Sequence, residues 1–175
     1  MRLIGTRVVF LVAPEFEDLE FWVPLMRLQE EGAETVVAGM AAGDVYQGKH
    51  GLTVRTHVGF DDVHPADFRG MVIPGGWAPD KLRRFESVRS LVREFDRQHK
   101  TIAMICHAGL VSISAGIVKG HFATGSEGIK DDLINAGAVW RDEPAFRSSH
   151  LVWGRVVADI PAFCRELVAA LREHN

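Results

Sequence analysis

The stretch Thr101-Ile102-Ala103-Met104-Ile105-Cys106-His107-Ala108-Gly109 carries a thiol where an apolar, mostly β-forming run gives way to a helical pattern. A side chain at such a strand-to-helix corner is held at the rim of a sheet, close to the amide N–H groups of the new helix. Hydrolases present a catalytic serine in this geometry, and a cysteine can use it equally. A helix N-terminus favours thiolate over thiol, so Cys106 is expected to be more reactive than a free cysteine. The pattern departs from G-x-nucleophile-x-G, because Ile105 directly precedes Cys106 and Gly109 follows three residues later. On these residues alone Cys106 is either a nucleophile or a small buried hydrophobe. His107 comes next, and neighbouring side chains on a helix do not face each other. Only a strained elbow would bring its ring to the sulfur.

Strands and helices must position these groups. Arg7 to Ala13 is a continuous apolar run, the pattern of a strand buried on both faces of a parallel sheet. Thr35 to Ala38 and Met71-Val72-Ile73 add two more strands. Later strand pieces fall near His121 to Thr124, Ala138 to Arg141, Ala145 to Arg147 and Leu151 to Val157. A helix is expected over Asp18 to Glu31, with Leu19, Trp22, Val23 and Met26 on one face. Pro24 either kinks it or marks a start nearer Trp22. Further helices are expected over Pro79 to Phe85, through Val88, Leu91, Val92 and Phe95 to His99, over Ala108 to Val118, Ile129 to Ala136 and Ile160 to Glu173. Gly48-Lys49-His50-Gly51 separates two short β-like pieces, a small peripheral hairpin. Strands alternating with helices imply a mainly parallel α/β sheet with helices on both faces.

In such an open sheet the ligand sits outside the carboxyl ends of the strands. Three of those ends lead to Glu15-Phe16-Glu17-Asp18, to Gly75-Gly76 and to Cys106-His107, so an acid, a flexible backbone and a thiol share one pocket. Each feature also has a plainer reading. Glu17 and Asp18 can serve only the helix dipole, and Gly75-Gly76 can be an ordinary turn. Cys164, on the apolar stripe of the last helix, reads as core packing. His50, His57, His64, His99, His121, His150 and His174 read as surface or structural histidines.

With 175 residues, 47% of them hydrophobic and 25% charged, the chain suits one compact soluble domain spanning residues 1–175. A net charge of −3 with both signs interspersed gives no footprint for nucleic acid or an acidic membrane. No apolar run approaches the ~18 residues of a membrane span, and Met1 to Gly5 is too short for a signal peptide. Two distant cysteines form no disulfide framework, which makes a cytoplasmic location the expectation. The eight histidines lack ligand spacing, so no metal and no cofactor is expected.

Taken together, the motifs resemble the DJ-1/PfpI family, and within it the PfpI intracellular-protease branch, over nearly the whole chain. The resemblance is carried by Glu15-Phe16-Glu17-Asp18, Gly48-Lys49-His50-Gly51, Ile73-Pro74-Gly75-Gly76 with Ala78-Pro79, Ile105-Cys106-His107, Ile113-Ser114-Ala115-Gly116, Gly128-Ile129-Lys130-Asp131-Asp132, Ile134-Asn135-Ala136-Gly137 and Ala158-Asp159. It implies a flavodoxin-like three-layer sandwich related to class I glutamine amidotransferases, and a homodimer or higher homo-oligomer. By the resemblance Cys106 is the nucleophile, Glu17 the acid touching its sulfur, and His107 the histidine that follows. Gly76 and His107 supply oxyanion-hole amides. Asp80 stands where the branch has a glutamate donated by a neighbouring subunit, one methylene shorter. Departures cluster where substrate belongs, with Trp77 after Gly75-Gly76, Ser126-Glu127 before Gly128, and Trp153 ahead of Gly154-Arg155. Gly75, Trp77, Ser126, Glu127 and Trp153 are therefore the expected substrate pocket.

The resemblance implies a cysteine-dependent hydrolase or lyase for small carbonyl or amide compounds, of the deglycase, glyoxalase III or PfpI-peptidase kind. The rival is a non-catalytic oxidation sensor or chaperone, in which Cys106 stops at a sulfinate beside Glu17. A glutaminase-like module is disfavoured, since His150-Leu151-Val152 lacks the H-x-E spacing of that class.

Overall fold

The computed structural model describes residues 3–173; Met1 and His174 lie outside that range. In chain order the first half comprises β1 (Arg7–Leu11), α1 (Asp18–Glu30), β2 (Glu34–Gly39), β3 (Val45–Gln47), β4 (Thr53–Arg55), β5 (Val58–Gly59), β6 (Gly70–Ile73), α2 (Ala78–Leu82) and α3 (Glu86–Arg97). Then come β7 (Thr101–Ile105), α4 (Gly109–Ala115), β8 (Phe122–Ala123), α5 (Lys130–Asn135), β9 (Val139–Trp140), β10 (Ala145–Ser148), β11 (Leu151–Gly154) and α6 (Ile160–Glu173). Apolar strands without polar alternation need cover on both faces, and they find it in the middle of the sheet. Every residue of β6 and β7 is buried. The main sheet runs β10-β11-β7-β6-β1-β2-β5, with β10 antiparallel to β11 and every other pairing parallel. Helices α1 and α6 pack together on one layer, while α3 packs with α4, which also meets α2 and α5. The result is a three-layer α/β sandwich, with β3 and β4 forming the small antiparallel hairpin outside it.

Parallel pairing aligns the strands, so the loops after β1, β6 and β7 leave the sheet at one edge. That is the edge the sequence selects. At the opposite edge His150 is a satisfied structural histidine, with Nε2 2.8 Å from Asp96 Oδ1. Cys164 is buried in α6 as core packing.

Several boundaries and one helix face differ from the sequence reading. Helix α1 starts at Asp18 and runs through Pro24, so the later start is excluded. Its buried residues include Glu20, Phe21, Leu25 and Leu28, while Leu19, Val23 and Met26 are 47%, 39% and 58% exposed. This helix carries two apolar stripes, and the sheet takes the one containing Phe21. Helix α2 ends at Leu82, short of Phe85. Helix α4 stops at Ala115, because Gly116 adopts the left-handed conformation that ends helices (φ 79°). The strand expected from Leu151 to Val157 ends at Gly154, and residues 157–159 turn into a 3-10 helix.

Candidate active site

Strand β7 delivers Cys106 into a left-handed backbone conformation (φ 61°), which a non-glycine residue adopts only at a cost of about 1–3 kcal/mol. The conformation is held from behind, where the Cys106 carbonyl accepts the N–H of Ser126 at 3.0 Å. A single 3-10 turn, residues 106–108, then leads into α4. The strained turn does what a regular helix cannot. It swings two adjacent side chains together, placing Cys106 Sγ 3.2 Å from His107 Nδ1.

The loop after β1 and the start of α1 bring three buried carboxylates to this corner. Asp18 is structural. Its oxygens accept the backbone N–H groups of His50 at 2.8 Å and Leu52 at 2.7 Å, pinning the β3–β4 loop against the site. That loop brings up Lys49 and His50, and Glu17 Oε2 lies 3.8 Å from Lys49 Nζ and 3.3 Å from His50 Nε2. Glu17 thus faces the hairpin. The carboxyl that interacts with the Cys106 thiol is Glu20, one helical turn further on. This corrects the expectation for Glu17, and the reason is helical phase: with α1 starting at Asp18, residue 20 turns inward beside Phe21. Glu20 is fully buried. Its Oε2 accepts the Gly75 N–H at 2.8 Å, and its Oε1 has no hydrogen-bond partner by distance and angle among the described residues.

The Gly75-Gly76 turn is built for close approach. A Cβ on Gly75 would lie 2.7 Å from Cys106 Cβ and nearer still to Glu20 Oε2. Gly76 adopts φ 75° and bridges to Phe16. In this arrangement the backbone N–H groups of Gly76 and His107 both donate toward the sulfur.

Electrostatics corrects a second expectation. Burial, foremost, and the nearby Glu17 charge raise Glu20 to about 7. Burial and the Glu20 carboxylate push the Cys106 thiol up to about 12, outweighing the two amide donors. Burial and the neighbouring carboxylate thus oppose the thiolate that the two amide donors favour. Burial and the Lys49 ammonium lower His107, so its imidazole is neutral at pH 7 and free to accept a proton.

These groups line a cavity of about 320 Å³ together with Glu17, Lys49, Trp77 and the segment Val156-Val157-Ala158. Trp77 is half exposed at the mouth, its ring centroid 5.7 Å from that of His107. Asp80 sits on a neighbouring cavity that also touches His107, and its carboxylate pairs with Arg84 one turn along the chain. Ser126 serves the Cys106 backbone, and Glu127 lines an adjacent cavity rather than this one. Trp153 is a further correction. It is buried on β11 against Gly109, where an added Cβ would lie 3.2 Å from its ring, because β11 is an interior strand. The sequence reading missed Glu20, Lys49 and Val156-Val157-Ala158. A signal for Glu20 existed, an acid beside Phe21 on the side of the helix that also holds Leu25 and Leu28. Among the described residues no His, Cys, Asp and Glu group is arranged to hold a metal ion.

Comparison with known proteins agrees with this architecture. Residues 6–170 match the model of the DJ-1/PfpI family. The chain is 42% identical over 166 residues to Deglycase PH1704 of Pyrococcus horikoshii, covering 95% of this chain and 99% of that protein. It is 40% identical to Deglycase PfpI of Pyrococcus furiosus, with the same coverage. It is also 35% identical to YraA of Bacillus subtilis, which carries a provisional cysteine-protease name, over 97% of this chain and all of that one. A crystal structure of a two-domain protein from Anabaena variabilis, with DJ-1/ThiJ/PfpI-like and ferritin-like domains, superposes with a TM-score of 0.93 at 34% identity. The match covers 95% of this chain and 48% of that one. Schizosaccharomyces pombe DJ-1 shares the fold at 18% identity, with a TM-score of 0.84 and coverage of 97% and 98%. With its elbow cysteine on the β7 edge and a family match running almost end to end, the chain belongs to the DJ-1/PfpI family.

Proposed function

We propose that this protein is a cysteine-dependent hydrolase of small carbonyl compounds and their amine adducts, a deglycase or glyoxalase III type of enzyme. The observation that carries the reading is the 3.2 Å contact between Cys106 Sγ and His107 Nδ1 inside a cavity of about 320 Å³. A neutral imidazole beside a high-pKa thiol is the arrangement of general-base activation. His107 takes the thiol proton as sulfur attacks the aldehyde-derived carbon of an adduct. The C–N bond breaks, the amine leaves with the proton from His107, and a thiohemiacetal remains. His107 then moves the carbon-bound proton to the neighbouring carbonyl carbon while the hydroxyl proton passes to the neighbouring carbonyl oxygen, and the resulting thioester is hydrolysed by water to a hydroxy acid and free thiol. The amides of Gly76 and His107 hold the oxygen on which charge develops, a contribution of about 3–4 kcal/mol per donor in enzymes of this kind. The relatives named deglycase support this substrate class, and a cavity of about 320 Å³ has the size for such small compounds. The same groups also fit amide cleavage, which the name of the Bacillus relative suggests.

The test is lactate production from methylglyoxal and from its amine adducts, wild type beside Cys106→Ala. We expect loss of turnover by at least about a hundredfold, in line with removal of a nucleophile; equal rates would overturn the reading. The protein is further taken to work as a homo-oligomer, with Asp80 facing a neighbour's His107. Association of copies, though not the placement of Asp80, is supported by the stripe Leu19, Val23 and Met26 that α1 leaves exposed.

A second reading, oxidation sensing, is favoured by one observation, the fully buried Glu20 carboxyl held beside Cys106 by the Gly75 N–H. A protonated carboxyl there would donate to a sulfinate oxygen. A mass gain of two oxygen atoms confined to Cys106 after mild peroxide, without turnover of any carbonyl substrate, would select this reading over the first.

A further inference from the structure

Beside the Cys106 cavity lies a second one of about 260 Å³, lined by Glu127, Lys130, Trp140, Asp142, Arg155 and Val156, with Gly125 at its inner wall. The two cavities share Val156. They also share a wall. Ser126 N–H holds the Cys106 carbonyl, and a Cβ on Gly128 would lie 3.6 Å from His107 Nε2. Val156 is thus the boundary between the second cavity and the one that holds Cys106.

The charges in this cavity are not all spent. Arg155 is tied to Asp142 at 2.8 Å and to Asp159 at 2.9 Å, which neutralises it within the protein. Glu127 and Lys130 have no ion-pair partner among the described residues. Lys130 Nζ instead stands 5.9 Å from the centroid of the Trp140 ring. One carboxylate and one ammonium, one 3-10 turn apart beside an indole face, match a ligand that carries both an ammonium and a carboxylate on an apolar stem. Resting on the hydrolase reading above, we propose that this cavity binds the free α-amino acid end of the substrate. The substrate would then be an amino acid whose side-chain nitrogen carries the carbonyl adduct. Glu127 accepts from the α-ammonium, Lys130 donates to the α-carboxylate, and Trp140 packs on the stem. The side chain crosses Val156 and offers its adduct to Cys106.

Binding and turnover test separate parts of this proposal. Nε-acetyl-lysine has the free zwitterionic end but no adduct, so NMR titration of wild-type protein reads the cavity without chemistry. We expect shifts at Trp140 and weakening by about a hundredfold, the worth of two charge-assisted hydrogen bonds, when the ligand is blocked at both ends as Nα-acetyl, carboxamide. Glu127→Gln and Lys130→Met are each expected to cut this preference for the free over the blocked ligand by about tenfold, and together to abolish it, while leaving the circular dichroism unchanged. In turnover, the same variants should raise KM for a lysine side-chain methylglyoxal adduct and leave kcat and the rate with free methylglyoxal unchanged. Equal binding of free and blocked ligand up to millimolar concentration, or a preference that survives both substitutions, overturns the proposal. Loss of the hydrolase reading would show instead as turnover indifferent to Cys106→Ala, whatever the titration gives.

Discussion

Glu20 and Cys106 compete for a single low-dielectric corner, and their ionisation is linked to the stability of the fold. Glu20 is raised from 4.5 to about 7, so between those values the folded chain binds a proton that the unfolded chain has lost. The associated stability is complete below pH 4.5 and disappears as pH rises through about 7, a change of about 3 kcal/mol. Urea denaturation of wild type against Glu20→Gln at pH 5 and pH 8 reads it: wild type is expected to weaken relative to the variant over that interval. The same substitution removes the carboxylate that pushes the thiol up, so iodoacetamide alkylation of Cys106 is expected to shift to lower pH. A parallel argument covers His107. Lys49→Met takes away an ammonium that depresses it, so its imidazole titration, followed by NMR, should move upward. The sequence held the thiol and its histidine in plain view, because the strand-to-helix change falls on them. Choosing between Glu17 and Glu20 requires the rotational phase of α1, and a helix apolar on two sides leaves that phase open until tertiary packing settles it.

The elements that matter most for the site are its short connections. Asp18 holds the hairpin loop by two charge-assisted hydrogen bonds from buried position. That loop in turn carries Lys49 to the cavity and His50 to Glu17. Asp18→Ala strips both bonds and is expected to cost about 2–4 kcal/mol. Hydrogen exchange should then quicken at residues 48–52 while β7 stays protected; unchanged exchange there would show that the loop is held by other contacts. Gly75→Ala belongs to the same scale, since the new methyl would collide with Cys106 Cβ and the Glu20 carboxylate. The expected result is lost activity together with a lower melting temperature. Strands such as β1 and β7 were legible because burial on both faces leaves an unbroken apolar run. Helix ends and the position of Trp153 were less so. Gly116 ends α4 three residues before the apolar pattern does, and nothing in the residues around Trp153 distinguishes an interior strand from a pocket wall.

At the scale of the molecule, parallel strand order gathers three loops at one edge and leaves Asp80 looking away from the sulfur. Within one chain Asp80 pairs with Arg84, yet its cavity also touches Trp77, His107 and Leu110. A neighbouring copy docked at that face would bring its own Asp80 toward this His107, completing an acid–imidazole–thiol relay across the contact. The exposed stripe Leu19, Val23 and Met26 supplies apolar area for association, and a substitution there tests assembly separately from chemistry. Light scattering of wild type is expected to give an oligomer, with Val23→Lys plus Met26→Lys shifting it toward monomer. Mixing then decides Asp80's role. Protein bearing Cys106→Ala lacks the nucleophile, and protein bearing Asp80→Ala lacks the acid, so each alone should turn over poorly. Co-refolded, a mixed pair contains one site with Cys106 from one chain and an intact Asp80 from the other, and activity should return. Were Asp80 to act on the histidine of its own chain, every site in the mixture would still lack one group and no activity would be regained.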